Sequence, residues 1–167
     1  MKNVILIFLF MVLGIINTTA QEVDTIKVNS TNTKIDSLAV KLSNLQHDYD
    51  FLYCRFLLNE HKIDLIYLMQ DANNRSLVVN SFHIFRTDLY ISFKESYESS
   101  YSLFETIKNS YESTKDLILS KIISSNFSEK EWDLLTKHLN AVDAAVSATE
   151  ISLRTYKSSI DTYKKYN

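Results

Sequence analysis

Glycine occurs once and proline not at all in the 167 residues, and the one glycine, Gly14, lies in an apolar leader. From Gln21 onward the chain therefore contains neither of the residues that most readily interrupt regular structure. Hairpin turns draw on glycine for positive φ and on proline for a preset φ, so a sheet of several antiparallel strands is hard to build here, and helix is what remains. A glycine-poor chain also has no loop that could cradle a phosphate. The single cysteine, Cys54, excludes an internal disulfide, so stability has to come from packing. Charge of neither sign dominates. Eighteen Lys and Arg face twenty Asp and Glu, for a net charge of −2, and the two signs are interleaved along every segment. No concentrated basic face is present, which argues against a nucleic-acid partner.

The N-terminus carries the one long hydrophobic run. Lys2 precedes an apolar stretch from Val4 to Ile16, and Thr18 and Ala20 place small residues just before Gln21. Such a run is too short to span a bilayer core of roughly 30 Å, and its pattern is that of a cleaved export signal covering residues 1–20. Export to the periplasm or to the exterior follows from that reading, and membrane contact by the remaining chain is not expected. Residues 21–32 are polar and aperiodic and read as a flexible lead-in.

The rest reads as one all-α domain over 33–167: three long antiparallel helices forming an elongated coiled-coil-like bundle, at about 33–70, 76–124 and 128–165. Thr33 and Asp36 have the spacing of a capping pair for the first helix, and the paired asparagines of Asp71-Ala72-Asn73-Asn74 suggest its end. Ile35, Leu38, Leu42, Leu45, Tyr49, Leu52, Phe56, Asn59, Ile63 and Ile66 alternate three and four apart and form its expected core seam. The second helix carries Tyr90, Phe93, Tyr97, Phe104, Ile107, Tyr111, Thr114 and Ile118 on one stripe. The third opens with a capping box, Ser128 to Glu131, and has an unbroken seam from Trp132 through Leu135, Leu139, Val142, Val146, Thr149, Leu153, Tyr156 and Ile160 to Tyr163.

The first helix has a second apolar stripe, Phe51, Cys54, Leu58, His61, Leu65 and Leu68, lying nearly opposite the first at about 100° per residue. Lengths add to this. A second helix of roughly 73 Å would overrun a third of roughly 57 Å and leave an apolar tip near Ile63 to Phe85 without its third neighbour. The expectation is that the tip docks a second copy or an envelope protein, with Phe51, Leu58, Leu65, Leu68, Ile84 and Ile91 as partner-binding residues. A break of the second helix near 86–88, giving a compact four-helix arrangement, is the alternative that would cover it.

Chemistry is not evident. His47, Cys54 and His61 are seven apart, which separates neighbours by about 10 Å along a helix, too far to share one metal. No Glu-x-x-His or His-Glu-x-x-His pattern occurs. No catalytic residue, cofactor or metal is assigned. The expected function is that of an exported, non-enzymatic interaction module; the alternative is a small-ligand-binding or sensing bundle with a pocket lined by Tyr49, Tyr53, Tyr90 and Tyr97.

Overall fold

A computed structural model describes residues 25–124 and 127–165, with side chains from Thr33 onward except those of 122–124. The expected leader and its cleavage point lie outside the described residues. Three helices follow one another: α1 Thr25–Ser81, α2 Thr87–Ser124 and α3 Glu129–Lys165, with no strand among the described residues. The fold is all-α.

The chain divides into two compact units, Met1–Gln46 and His47–Asn167. In the first, the described residues belong to α1, and every side chain from Thr33 to Gln46 is exposed. Helix begins at Thr25, so residues 25–32 are not an irregular lead-in and the Thr33–Asp36 pair lies inside a helix instead of capping one.

In the second unit the rest of α1 joins α2 and α3 in a three-helix bundle. His61 Nε2 meets Thr114 Oγ1 at 2.9 Å, and Lys121 donates to Asp50 at 2.8 Å, so α2 runs antiparallel to α1. Thr149 Oγ1 donates to the Leu65 carbonyl at 3.0 Å and Ser76 pairs with Ser159 at 2.8 Å, which sets α3 parallel to α1. The Tyr156 hydroxyl donates to the Phe93 carbonyl at 3.1 Å and the Tyr111 hydroxyl to Asp143 at 2.7 Å, closing the third side. The buried stripes of α2 and α3 follow the expected periodicity: Phe104, Ile107, Tyr111 and Ile118 meet Leu135, Leu139, Val142 and Leu153 in one core cluster. Trp132, expected at the head of the α3 seam, is exposed instead.

Two boundaries differ from the sequence expectation, for one reason. No break occurs at 71–76, because Asn73 and Asn74 sit on the exposed side while Ala72, Ser76 and Val79 are buried and carry the inner face of α1 onward. The turn falls at 82–86 instead. There the Phe82 amide donates to Val79 at 3.2 Å, and the Tyr163 hydroxyl both accepts from the Arg86 amide at 2.9 Å and donates to the Ile84 carbonyl at 3.1 Å. Asp88 in the first turn of α2 pairs with Arg86 at 2.7 Å, near the positive helix end. Residues 76–81 thus belong to α1, the four-helix alternative does not arise, and α2 and α3 have nearly equal lengths of 38 and 37 residues. The end of α3 reaches the turn, where Val79, Tyr156, Ile160 and Tyr163 form a second core cluster with Phe85 and Phe93 against it. The tip has its third helix after all.

The capping box of α3 is formed: the Ser128 amide donates to Glu131 Oε2 at 2.8 Å, and Ser128 Oγ accepts from the Glu131 amide at 3.4 Å.

Leu65 is 0% exposed and Leu42 58%. In dilute solution Leu65→Ala should cost about 2–5 kcal/mol in urea denaturation, and Leu42→Ala should stay within about 0.5 kcal/mol.

Candidate docking surface on helix α1

The side of α1 that enters the bundle carries Cys54, Leu58, His61, Leu65, Leu68, Ala72, Ser76 and Val79, all buried except His61, which is partly so. This corrects the expected docking residues. Leu58, Leu65 and Leu68 are core, covered by the chain's own helices, and Phe51 is half-buried with its ring 6.0 Å from that of Phe127. Of the six, Ile84 in the turn and Ile91 on α2 are exposed.

The expected core seam faces outward. In the first unit Leu38, Leu42 and Leu45 are each more than half exposed, with Ile35 close behind; in the second, so are Tyr49, Leu52 and Phe56. Two causes decide which stripe goes in. The outer stripe meets Gln70 and Asn73 beyond Ile66, whereas the inner one continues through Leu68, Ala72 and Ser76 to Val79, as long as the stripes of α2 and α3 that it must face. The inner side also places its polar groups against partners: His61 on Thr114, the Leu65 carbonyl on Thr149, and Asp50 on Lys121. A buried polar group with a partner costs little, and without one it costs several kcal/mol.

The flanks of the outer stripe are charged. Lys41 and Asp48 are exposed, and Arg55 lies over the Phe51 ring of its own chain at 5.7 Å from the centroid. Inside the bundle, burial pushes the His61 imidazole below its ordinary value, opposed by Asp64 and Glu60. Burial also lowers His138, with Arg55 and Lys62 adding to the effect. Burial raises the Cys54 thiol, so this cysteine is a packed side chain held in its protonated form.

The other candidate features do not assemble. No group of three His, Cys, Asp or Glu side chains that could hold a metal occurs among the described residues, and no helix among them is long and apolar enough to cross a membrane. Tyr49 and Tyr53 stack on each other at 5.9 Å on the exposed side of α1, whereas Tyr97 packs edge-on against Tyr156 at 6.0 Å, so the four tyrosines do not line one pocket. A cleft of about 410 Å³ near the turn is lined instead by Val79, Phe82, His83 and Tyr163 among others. Comparison with family models, with curated proteins and with solved structures finds no match to this chain.

The two lowered histidines fix a direction of pH dependence. Each holds its proton less tightly in the fold than its ordinary value of 6.5, so the unfolded chain binds more protons below that pH. Their contribution is complete above pH 6.5 and is lost as the pH falls through the folded values. Urea denaturation at pH 7.5 and 5.5 should show the lower stability at 5.5, and His61→Gln should reduce the difference.

Proposed function

We propose that this chain is an exported, non-enzymatic helical-bundle interaction module whose docking element is the outer face of α1. The observation that supports this most is that Tyr49, Leu52 and Phe56 of the bundle, spaced three and four apart, are exposed on a helix whose opposite side is buried from Cys54 onward, and that Ile35, Leu38, Leu42 and Leu45 of the first unit are exposed at the same spacing. Scattered exposed apolar residues are ordinary on a soluble protein, whereas a contiguous stripe at coiled-coil spacing is a surface for another helix. The bundle of 47–167 supports the part of the face that carries Tyr49, Leu52 and Phe56. Its partly buried Asp50–Lys121 pair, with the polar contacts of His61 and Thr149, holds this part of α1 in one rotational setting, so Tyr49, Leu52 and Phe56 are presented together on its outer side. The reading places partner recognition on Leu38, Leu42, Leu45, Tyr49, Leu52 and Phe56.

Export is the second part of the proposal and rests on the leader of residues 1–20. Mass mapping of the chain recovered from its native cell should find Gln21 as the first residue; an intact Met1 would remove export by cleavage. The docking face is tested by photo-crosslinking in that cell. A crosslinker at Leu45 or Leu52 should give a discrete adduct, and one at the exposed Glu98 of α2 should give none. Equal labelling from all three positions would remove the face from consideration.

A further inference from the structure

We propose that the segment docking on the bundle's part of this face is a helix of another protein, apolar along one side and bearing carboxylates about seven residues apart along the edge turned toward α3, where Arg55 and Lys62 receive them. This rests on the reading of the outer side of α1 as a docking surface and names the chemistry of the partner.

Register and charge support it. On α1, residues 55, 62, 69 and 76 fall on one line at heptad spacing, and on α3 so do 138, 145, 152 and 159. Ser76 meets Ser159 at 2.8 Å and the two helices run parallel, so stepping back by heptads sets Lys62 level with Ala145 and Arg55 level with His138. His47 and Glu131, 3.6 Å apart, keep that register to within one residue at the other end. Arg55, Lys62 and His138 are all partly buried. The positions three and four residues from Arg55 and Lys62 on α1 are Phe51, Leu52, Leu58, Asn59, Leu65 and Ile66, none of them an acid. Acids elsewhere on the two lines are engaged, Asp48 lying 3.7 Å from His47 and Glu131 accepting from the Ser128 amide, while Lys137 beside His138 donates to Asp133 at 2.6 Å. Lys121 and Lys115, also partly buried, each have a carboxylate, Asp50 at 2.8 Å and Asp143 at 3.1 Å. Arg55 lies over the Phe51 ring instead, and its Nε is enclosed with no hydrogen-bond partner among the described residues. Burial, then Arg55 and Lys62, lower the His138 imidazole, so positive charge collects on this edge. Cations half withdrawn from water without a counter-charge carry a desolvation penalty that an incoming carboxylate offsets. Leu52, Phe56 and Ile63 are exposed beside them, so a helix lying along these residues brings one of its edges over the basic pair. Glu60 and Asp64, both exposed, line the opposite edge and disfavour acids there. Arg55 and Lys62 stand one heptad apart, about 10 Å along α1, which is the spacing of carboxylates one heptad apart on a helix aligned with it.

A photo-crosslinker at Leu52 in the native cell, followed by mass-spectrometric sequencing of the linked peptide, should recover a segment with Asp or Glu one heptad apart along one edge of its apolar stripe. A synthetic peptide of that segment should bind the purified chain, and raising the salt from about 50 mM to about 500 mM should weaken its binding about tenfold. Arg55→Glu with Lys62→Glu should lower both the crosslink yield and the peptide affinity by about tenfold or more, with helix content and denaturation midpoint kept. Arg55→Gln with Lys62→Gln removes the charge with less change in shape and should lower both as well. A recovered segment without acids on that edge, or a peptide whose binding is indifferent to salt and to the Gln pair, would overturn the acidic partner and leave the docking face standing. An adduct of twice the chain mass would make the occupant a second copy and overturn the separate partner. The absence of a discrete adduct from Leu52 would overturn the face itself, and with it the proposed function.

Discussion

A helix in a three-helix bundle turns only one side toward its two neighbours, and α1 carries apolar residues on both. That constraint governs the rest of the structure. Only one stripe can be enclosed, and the enclosed one runs the full distance from Cys54 to Val79 while meeting hydroxyl and carbonyl partners on α2 and α3. The buried Ser76–Ser159 and Thr149–Leu65 contacts contribute little net energy each, but rotating α1 would leave those groups without partners in a low-dielectric interior. Polar contacts of this kind choose between two otherwise comparable packings.

Much of the architecture was legible in the residues themselves. The absence of proline and of glycine after Gly14 pointed to helix, and the stripes of α2 and α3 were readable because each of those helices has a single apolar face. Ser128 and Glu131 announced the start of α3 through a capping box that is formed. On α1 periodicity alone gave two answers of similar quality. Ile35 to Ile66 had the cleaner heptad rhythm, and rhythm records how a helix would pair, not which neighbour covers it.

The boundary between α1 and α2 was the other point at which local signals fell short. Paired asparagines tolerate a turn but do not impose one, and at 73–74 they lie on the solvent side of a helix whose inner residues continue to be buried. A signal was present in Ala72, Ser76 and Val79, which prolong the Cys54–Leu68 line at helical spacing. That line places the break at the 82–86 segment, leaves α2 and α3 nearly equal in length, and within residues 47–167 runs further than the outer stripe, which ends at Ile66. Leu58, Leu65 and Leu68, expected to be open to a partner, are buried for the same reason.

Tyr163 ties together residues far apart in the order of synthesis. Its hydroxyl bridges Ile84 and Arg86, so the bend joining the first two helices is fastened by a side chain made 77 positions after Arg86. A chain emerging from a ribosome therefore holds its first hairpin unfastened until the third helix has been threaded alongside. Through that interval both oily sides of α1 face water at once, and the nascent chain is at its most adhesive just before it closes.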